Sequence, residues 1–504
     1  MREHMSKSSY AKGLQCPKML WMSRHMPDRG AESPLSASLM RSGDEVGDLA
    51  MGYFGPYREI ENDFDFPRMA GETARLVDEQ AKAARDGSGP ISICEATFVD
   101  GEGHLCMADI ILPAGDGSVS LVEVKSSTRV KPYHIDDAAY QAWVVERCGY
   151  RVSSASIMHV DPSYVREGGL DVSSLFALED VTGEVRARIP SIEANLAGML
   201  SVADMADEPE TAIGRHCNSP HPCPFQGWCW RDVPENSVFD LAGVGRTRGM
   251  KWWDAGVRTF EDARGLMGRN GFRDAQIDCS CGGPRELADK AMLRGFLATL
   301  SWPICHLDFE TFQMAVPLWD GTRPYQQITS QYSLHIQEEP GGPVRHAEFL
   351  ADEGSDPRRA LAERLCSDVP HGACVTAYNM SFEKGRIREL AAAFPDLGER
   401  LLEIHDSIVD LMEPFKKGWL YRREMGGSYS IKSVLPAFFP DDPELDYHAL
   451  DGVHNGSEAA SAFLNLALMG PEERGRTRES LLRYCELDTL AMVKVLEAIE
   501  AAAA

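Results

Sequence analysis

The chain has 504 residues, and at about 150 residues per domain this length predicts roughly three domains with separate hydrophobic cores. Lys and Arg total 51 against 77 Asp and Glu, so the net charge of −26 excludes a protein whose whole surface is basic for binding nucleic acid. Hydrophobic residues make up 43% of the chain and charged residues 25%, values typical of folded proteins, which excludes a disordered chain.

No N-terminal signal peptide is predicted, because MREHMSKSSYAKGLQCPKMLWM contains no apolar run of the required length. Nor does any stretch reach the ~18 consecutive apolar residues of a membrane span. The sequence therefore predicts a cytoplasmic protein without a membrane partner. Its 13 cysteines, an odd number in a long chain of this type, favour metal-binding or core positions over a disulfide framework.

The first predicted elements are three strands connected by the tight turns DGEG and AGDG. The strands cover residues 91–98, 104–112 and 118–125. A helix follows Pro132 and ends at Gly149, and a fourth strand covers 152–160. A further helix over 184–201 leads into the Pro- and Cys-rich segment 216–230. The order of elements, β-β-β-α-β, indicates an α/β domain.

Charged residues occur on the second and third of these strands. Glu123 and Lys125 share one face of their strand because they are two residues apart. With the turn centred near Gly115, Asp109 lies nearly opposite Glu123. Such a group suits phosphodiester hydrolysis, in which carboxylates hold Mg²⁺ or Mn²⁺ and the lysine positions or deprotonates water. A solvated strand face is the alternative interpretation of these three residues alone.

The order of Asp109, thirteen intervening residues, Glu-Val-Lys and then a helix with Gln141 resembles the PD-(D/E)XK nuclease superfamily, most closely its RecB-like branch. The resemblance implies a restriction-endonuclease-like core in which Asp109, Glu123, Lys125 and Gln141 are catalytic. It also implies that Asp109 and Glu123 are metal ligands. One departure is Val145, where the branch usually has Tyr.

The segment HCNSPHPCPFQGWCW contains three cysteines at intervals of five residues, Cys217, Cys223 and Cys229. Cys16, in LQCPKMLW, can supply a fourth thiolate. One cysteine before the nuclease core and three after it resemble the iron-sulfur RecB-like nucleases, although those more often have two residues in the first interval. The resemblance implies a 4Fe-4S cluster that closes the domain. Zinc is the alternative, with His216 or His221 completing a Cys3His set.

Residues 236–300 are predicted to form a small helical connector, since short helical stretches alternate there with glycine. The run FDLAGVGRTRGMKWWDAGVRTFEDA weakly resembles a helix-hairpin-helix element, which binds phosphates through backbone N–H groups. An ordinary pair of interdomain helices is the alternative interpretation.

A second α/β domain is predicted from residue 301 onward. Three strands, a helix, a strand and a helix follow in order, at 305–312, 328–336, 344–351, 357–367, 373–379 and 382–394. On the first strand HLDFET places Asp308 and Glu310 on one face, and carboxylates on an otherwise apolar strand indicate a bound cation. Tyr484 and Asp488 are one turn apart on the final helix, which covers 476–503.

The order of these elements matches the ribonuclease H-like fold, and the motifs resemble the DEDD class of 3′–5′ exonucleases, in the subgroup with a tyrosine. The resemblance implies four carboxylates that hold two divalent metals about 4 Å apart, while Tyr484 orients the attacking water. Those carboxylates are Asp308, Glu310, Glu383 and Asp488. Glu383, four residues after Asn379, replaces the Asp of the class, and its extra methylene can displace a ligand by more than ~1 Å.

The combination of SKSSYAKGLQCPKMLW, HPCPFQGWCW and HLDFET resembles a bacterial family that fuses a RecB-like iron-sulfur nuclease to a ribonuclease H-like domain of unknown function. The predicted domains are 1–235, 236–300 and 301–504. The sequence thus predicts a multidomain α/β nuclease that acts on DNA with a single-stranded region, in DNA repair or in defence against mobile elements. A nucleic-acid-binding or adaptor protein, with one or both sites degenerate, is the alternative.

Binding of nucleic acid by so acidic a chain requires local basic surfaces. Residues 411–434 carry five basic against two acidic residues. The basic and aromatic residues concerned are Lys416, Lys417, Trp419, Tyr421, Arg422 and Arg423. Basic residues interleaved with aromatics suit a single strand, whose bases stack on the rings. Aromatic residues in the core with basic residues outside are an equal alternative.

Overall fold

A computed structural model describes residues 5–31 and 34–504, with the backbone alone over 34–42. The chain divides into two compact units. Unit 1 comprises Met1–Asp232 and Met314–Gln326, and unit 2 comprises Val233–Gln313 and Gln327–Ala504. The connector predicted over 236–300 is therefore part of unit 2. Both units are mixed α/β structures, as the sequence predicts.

Unit 1 contains six strands, eight α-helices and two short 3-10 helices, Pro27–Arg29 and Arg215–Cys217, among the residues that the structure describes. Its strands are β1 (Tyr57–Glu59), β2 (Ser92–Val99), β3 (Leu105–Pro113), β4 (Ser118–Lys125), β5 (Arg151–Val160) and β6 (Phe176–Asp180). Its helices are α1 (Lys7–Gln15), α2 (Pro17–His25), α3 (Pro34–Met51), α4 (Phe66–Asp86), α5 (Pro132–Arg147), α6 (Val172–Leu175), α7 (Thr182–Ala203) and α8 (Gln226–Cys229). The strands and helices predicted between residues 91 and 201 are confirmed.

The six strands form one mixed sheet in sequence order. β2, β3 and β4 are antiparallel neighbours, whereas β1 is parallel to β2 and β5 is parallel to β4. The parallel pairing of β4 with β5 requires a crossover, which α5 provides. Helix α5 packs on β3, β4 and β5, and α4 packs on β2. The central strands are therefore covered, which explains their high content of apolar residues.

The N-terminal helices α1 and α2 pack against α5 and α7. Tyr10 of α1 stacks on Tyr140 of α5, with ring centroids 4.8 Å apart. In α2, Nε1 of Trp21 donates to the carbonyl oxygen of Met205 at 2.9 Å. These contacts fix the first two helices beside segments that lie more than a hundred positions later in the chain, and they bring Lys7 and Cys16 to the sites described below.

Unit 2 contains the remaining strands and helices. Its strands are β7 (Glu286–Ala288), β8 (Ile304–Phe312), β9 (Ile328–Gln337), β10 (Val344–Leu350), β11 (Cys374–Ala377), β12 (Ile408–Asp410) and β13 (Leu420–Arg422). Its helices are α9 (Gly245–Asp254), α10 (Phe260–Ala263), α11 (Gly271–Ser280), α12 (Lys290–Leu297), α13 (Arg358–Asp368), α14 (Ser381–Ala393), α15 (Gly398–Asp406), α16 (Glu413–Lys416), α17 (Ile431–Phe438), α18 (Gly456–Asn465) and α19 (Pro471–Ala503). None of the described helices combines the length and apolar character that a membrane crossing requires.

Five strands of unit 2 form a sheet in the order β10-β9-β8-β11-β12. β10, β9 and β8 are antiparallel, while β11 is parallel to both β8 and β12. Alternate residues of β8 face opposite sides of this sheet. Cys305, Leu307 and Phe309 enter a core with residues of α13, α14 and α15. The intervening polar positions face the long helix α19, which packs on β8 and β9.

The loop between β8 and β9 belongs to unit 1 over residues 314–326. Within unit 1, the guanidinium of Arg166 donates to the carbonyl oxygen of Pro317 at 2.9 Å. The backbone N–H of Gly168 donates to Oδ1 of Asp320 at 2.8 Å. Unit 1 is therefore built from two separate stretches of sequence. The predicted domains, in contrast, are each one continuous stretch.

β7 and β13 form a separate antiparallel pair that joins the connector to the segment 411–434. Tyr421 is fully buried there, and Arg422 stacks on Phe438 with its guanidinium 4.2 Å from the ring centroid. Nε of Arg423 donates to the carbonyl oxygen of Cys279 at 2.7 Å. Of the two interpretations of this segment, the structure favours aromatic residues in the core, so Tyr421 cannot stack on a nucleic-acid base.

Candidate functional site

The first predicted site is formed by β3, β4 and α5 of unit 1. Ile110 lies opposite Val122, and this antiparallel register, continued by one residue, places Asp109 opposite Glu123. Oδ2 of Asp109 accepts a hydrogen bond from the backbone N–H of Val124 at 2.6 Å. The structure therefore brings the two predicted carboxylates together on neighbouring strands, as the turn near Gly115 indicates.

Glu123 is the centre of this group, and its side chain is 1% exposed. Its Oε1 accepts hydrogen bonds from Nζ of Lys125 at 2.6 Å and from Nζ of Lys7 at 2.8 Å. Nε2 of Gln141 donates to the other carboxylate oxygen, Oε2. Nζ of Lys125 also donates to Oδ2 of Asp137 at 2.8 Å. All four residues predicted for this site thus lie in one cluster.

The charges of the cluster are strongly coupled. Burial raises the pKa of Asp109 to about 7, and the neighbouring Glu123 adds to this shift. Burial alone would also raise the pKa of Glu123, but Lys125 and Lys7 reverse the effect and lower it to about 2. Burial lowers the pKa of Lys125, yet Glu123 and Asp137 outweigh it and raise that pKa above its usual value. Lys125 therefore remains an ammonium at neutral pH in the metal-free protein.

Sequence reasoning missed Lys7 and Asp137. Lys7 is separated from Glu123 by more than a hundred residues, and no local spacing connects them. Asp137 precedes Gln141 by four residues on α5, so the two share a helix face, and that spacing could have identified it. Oε1 of Gln141 is buried and has no hydrogen-bond partner among the described residues, which leaves one acceptor beside Glu123 for a ligand.

Glu95 adds a third acidic residue at the same level of the sheet, and it was also missed. The register between β2 and β3 places Glu95 opposite Asp109. Its φ angle is 53°, in the left-handed region that residues other than glycine rarely adopt. Burial raises its pKa, an effect that Lys7 opposes. Carboxylates are the ligands that Mg²⁺ and Mn²⁺ prefer, but among the described residues the oxygens of these three do not all lie within 4.8 Å of one another.

The four predicted cysteines also converge in unit 1. One small cavity is lined by all four of them, Cys16, Cys217, Cys223 and Cys229. The backbone N–H of Gly214 donates to Sγ of Cys217 at 3.4 Å. Burial raises the pKa of the Cys16 thiol, and the backbone of Met19 opposes this shift. Such N–H to sulfur hydrogen bonds are typical around the cysteine ligands of iron-sulfur clusters. The donor set therefore fits a thiolate-bound metal or cluster.

The two histidines considered as zinc ligands differ in position. His216 lines the cysteine cavity, whereas the ring of His221 packs against Tyr133 with centroids 4.8 Å apart. The structure therefore leaves His216 as the histidine available to a Cys3His zinc site. Nε2 of Gln15 donates to the carbonyl oxygens of both, at 2.7 and 2.8 Å, and thereby holds the end of α1 against this segment.

The second predicted site is a cavity of about 240 Å³ in unit 2. All five predicted residues line it, namely Asp308, Glu310, Glu383, Tyr484 and Asp488. One carboxylate oxygen from each of Asp308, Glu310 and Asp488 lies within 4.8 Å of the other two. Because they are this close, a single cation could bind all three carboxylates after small side-chain movements.

Glu383 lies in the same cavity but not in that close group of three. Its side chain is almost fully buried, and its Oε2 has no hydrogen-bond partner in the described part of the chain. Burial, together with repulsion from Asp410 at the end of β12, raises its pKa to about 8. Oδ1 of Asp410 accepts from the backbone N–H of Asn379 at 3.0 Å. The buried, unpartnered oxygen of Glu383 fits a cation ligand.

Two further residues contact the predicted groups and were missed. The hydroxyl of Tyr447 donates to Oδ1 of Asp488 at 2.6 Å. Nζ of Lys432 donates to the hydroxyl oxygen of Tyr484 at 3.0 Å and lies 4.8 Å from the ring centroids of both tyrosines. Neither residue has a fixed spacing to Asp488 or Tyr484 that a sequence pattern could use. They contact the two side chains, Tyr484 and Asp488, that α19 contributes to the cavity.

In the metal-free protein, we expect unit 2 to lose stability as the pH rises. Burial raises the pKa of Glu310 from 4.5 to about 8, and Glu383 behaves in the same way. The folded state therefore binds these protons more tightly than the unfolded state, so the stabilisation is complete below 4.5 and is lost as the pH passes through about 8. Melting curves between about pH 5 and about pH 9 would measure it. Saturating Mn²⁺ should largely remove the decline, and a metal-free melting temperature that does not change over this range would contradict the expectation.

Comparisons with known proteins give relatives without an assigned activity. No solved structure shows a significant match to the chain. The chain is 27% identical over 208 residues to "Uncharacterized protein MG366 homolog" of Mycoplasma pneumoniae and 26% identical over 211 residues to "Uncharacterized protein MG366" of Mycoplasma genitalium. Each alignment covers 38% of this chain, and the chain spans only 31% of the length of these relatives. Residues 305–430, which extend from the second residue of β8 to beyond β13, match the model of a family described as a domain of unknown function, DUF2779.

Proposed function

We propose that the protein is a metal-dependent nuclease with one phosphodiesterase site in each unit. The observation that carries the proposal is the close group of Asp308, Glu310 and Asp488, whose carboxylate oxygens lie within 4.8 Å of one another in a cavity of about 240 Å³. Asp488 is buried and the other two are half-buried, and carboxylates at this spacing repel one another and are costly unless cations bind them. Unit 1 adds a second group of carboxylates, with an ammonium in contact.

The topology of both units supports the same proposal. In unit 1 the order β2-β3-β4-α5-β5 carries Asp109 and Glu123 on adjacent strands, which is the arrangement that a PD-(D/E)XK core requires. In unit 2 the order β10-β9-β8-β11-β12, with Asp308 on the central strand β8 and Asp488 on a final helix, is the arrangement that a ribonuclease H-like fold requires. We therefore assign these two folds as part of the proposal.

Divalent cations, when bound, would supply an activated water and stabilise the charge on the leaving oxygen. In unit 1, Asp109 and Glu123 would hold the cation. The ammonium of Lys125 would stabilise negative charge on the phosphate, since it stays protonated. Gln141 fixes the orientation of Glu123 through the bond to Oε2, and Asp137 fixes that of Lys125. These contacts leave the reactive groups little freedom to move.

In unit 2, Asp308, Glu310, Glu383 and Asp488 would hold the cations. The hydroxyl oxygen of Tyr484 accepts from Lys432, so its own proton is available to a water or to Asp488. Lys432 thus orients the tyrosine that would position the attacking water. We propose 3′–5′ removal of nucleotides from single-stranded DNA as the reaction at this site.

The cysteine group of unit 1 would hold a 4Fe-4S cluster with a structural role. The four thiolates would bind the iron atoms, and backbone N–H groups around them would donate hydrogen bonds to sulfur. A cluster bound there would connect α2, which follows Cys16, to the segment 217–229. We propose that the carboxylate site of the same unit acts on DNA. The cluster would stabilise the fold of the unit that carries this site.

Lys125→Ala should lower cleavage at the unit 1 site about 100- to 1,000-fold, because it removes the positive charge beside the phosphate. The substrate would be linear single-stranded DNA with phosphorothioate linkages at its 3′ end, which blocks 3′–5′ removal and so isolates unit 1. Lys82→Ala is the matched control, because Lys82 is an exposed lysine of α4 in the same unit. Both variants should melt within a few degrees of the wild type for the comparison to count.

The adaptor interpretation makes the opposite prediction. A wild-type protein that binds single-stranded DNA or RNA but cleaves neither with Mg²⁺ or Mn²⁺ would establish binding without catalysis. Cleavage that Lys125→Ala leaves unchanged would remove unit 1 from the proposal and leave unit 2 to be tested separately.

Glu383→Asp should preserve or raise the rate at which unit 2 releases nucleotides, since the shorter acid restores the residue of the DEDD class. Glu383→Gln is the comparison, because it keeps the length and removes the charge, and it should lower the rate at least about tenfold. Release from 5′-labelled single-stranded DNA, resolved as a ladder of products, measures both. A Glu383→Asp rate as low as that of Glu383→Gln would show that this cavity needs the longer side chain.

A further inference from the structure

Three histidines lie side by side across the sheet of unit 2. His306 of β8 is opposite His335 of β9, which in turn is opposite His346 of β10. The rings of His335 and His346 stack with centroids 4.6 Å apart. Glu486 of α19 lies over this pair, and one donor atom from each of His335, His346 and Glu486 lies within 4.8 Å of the other two.

The hydrogen bonds around the pair determine which ring nitrogens are free. The hydroxyl of Thr489 donates to the carbonyl oxygen of Glu486 at 3.1 Å. Its oxygen therefore accepts from Nδ1 of His335 at 2.8 Å and from the hydroxyl of Ser333 at 2.6 Å. Because the proton of Ser333 is used in this way, Nε2 of His346 donates to Ser333 at 2.9 Å. A neutral imidazole has one N–H, so Nε2 of His335 and Nδ1 of His346 each retain a lone pair.

One ring nitrogen of each histidine lies close to the remaining member of the group, Glu486. Nδ1 of His346 lies 3.8 Å from Oε1 of Glu486. His335 is buried, and its ring stacks on that of His346, so both rings are held in place beside Glu486. Metal-binding histidines usually have their second nitrogen held by a hydrogen bond that fixes the ring, and Thr489 and Ser333 provide that bond here.

We propose that His335, His346 and Glu486 bind one divalent cation of the zinc class, at a site distinct from the carboxylate cavity. Two imidazoles and a carboxylate favour Zn²⁺, Co²⁺ or Ni²⁺ over Mg²⁺, which prefers oxygen donors alone. His306 offers a further donor next to the group, since its Nε2 is buried without a hydrogen-bond partner among the residues described. The inference does not depend on the proposed nuclease activity.

A cation at this site would connect α19 to β9 and β10. Glu486 lies midway between Tyr484 and Asp488 on α19, two residues from each. Binding of the cation to Glu486 would therefore limit sliding and rotation of the part of α19 that carries these two residues. The expected role is positional, and the ligands are not themselves expected to contact substrate.

Zinc binding to the full chain, purified with its cysteine-bound group in place and dialysed in excess Mg²⁺, would test the site. Wild-type protein should bind one more zinc ion with high affinity than His346→Ala or Glu486→Gln. A hundredfold excess of zinc over its dissociation constant should raise the melting temperature of wild type by about 5–10 °C, and this rise should be absent in both variants. Ser333→Ala should weaken zinc binding about tenfold, since it removes the bond that fixes His346.

Two controls make the result specific. His371→Ala removes a histidine that is also paired with a glutamate, Glu403, but is 82% exposed and lacks a second imidazole, so it should bind zinc as wild type does. Asp308→Asn alters the carboxylate cavity and should also retain the extra zinc. Equal zinc binding by wild type and His346→Ala would overturn the proposal. So would loss of the extra zinc in Asp308→Asn but not in His346→Ala, because the ion would then lie in the carboxylate cavity.

His346→Ala and Glu486→Gln should both fold. β10 is an edge strand, and the side chain of His346 is 24% exposed while that of Glu486 is 31% exposed. Substitutions at these two positions remove little buried surface, so metal-free variants should melt close to metal-free wild type. A zinc-dependent difference between them then reports the site itself.

Discussion

Asp308→Asn should lower the Mn²⁺-dependent release of nucleotides from a 3′ end by about a thousandfold, which corresponds to ~4 kcal/mol of transition-state stabilisation. Asp308 belongs to the close group with Glu310 and Asp488, and Glu383 is also among the charges that act on it. The amide of asparagine keeps the volume of the side chain but removes the negative charge that would hold a cation. Product ladders from 5′-labelled single-stranded DNA measure the rate.

The same variant should change stability in opposite directions with and without metal. Burial and the charge of Asp488 raise the pKa of Asp308 well above its usual value, so folding must either bury its charge or bind a proton, and both destabilise the metal-free fold at about pH 8. Asp308→Asn should then raise the melting temperature of the metal-free protein by about 2–8 °C. In saturating Mn²⁺ the order should reverse, because the variant loses the stabilisation that cation binding gives to the wild type.

Asp352→Asn is the matched control for both measurements. Asp352 is in unit 2, and its side chain is 90% exposed beside Arg478. An amide there should leave the rate and both melting temperatures within experimental error. If Asp308→Asn melts like wild type in the presence and absence of Mn²⁺, the cavity does not bind a cation and the proposed reaction in unit 2 fails.

The parts of the fold that the sequence predicts well are those with local signals. Alternating apolar residues bounded by Gly-rich turns predict β2, β3 and β4 closely. The pairing of Asp109 with Glu123 could be predicted because a single tight turn connects their strands and fixes the register. Asp308 with Glu310 and Tyr484 with Asp488 follow from the periods of a strand and a helix.

The missed residues approach their sites through long-range packing. Lys7 contacts Glu123 only because α1 packs on α5, and no spacing within the sequence encodes that contact. The row of His306, His335 and His346 similarly requires the register of three strands, with connections of different length between them. The grouping of residues 314–326 with unit 1 has the same cause, since a loop within a strand pair carries no local signal of where it packs.

Cys16→Ala should abolish binding of the iron-sulfur cluster and destabilise unit 1 by about 4 kcal/mol or more. Cys16 is about 200 residues from the other three cysteines but lines the same cavity, so a shared cluster would connect the N-terminal helices to the segment 217–229. For a unit of this size the loss corresponds to a fall in melting temperature of about 8–16 °C. Iron and labile sulfide, measured on anaerobically purified protein, and thermal melting test the two parts of the prediction.

Cys148→Ala is the matched control, because it removes a partly buried thiol of unit 1 that does not line the cavity. Hydrogen bonds such as that of Trp21 to Met205 hold α2 in place without any metal, so Cys16→Ala should still fold at low temperature. The variant should therefore separate the contribution of the cluster from that of packing. Wild-type protein without iron, whose zinc is lost in Cys223→Ala but not in His346→Ala, would favour the Cys3His alternative with His216. A Cys16→Ala variant that keeps its metal content and melting temperature would exclude Cys16 as a ligand, and the N-terminal helices would then be held by packing alone.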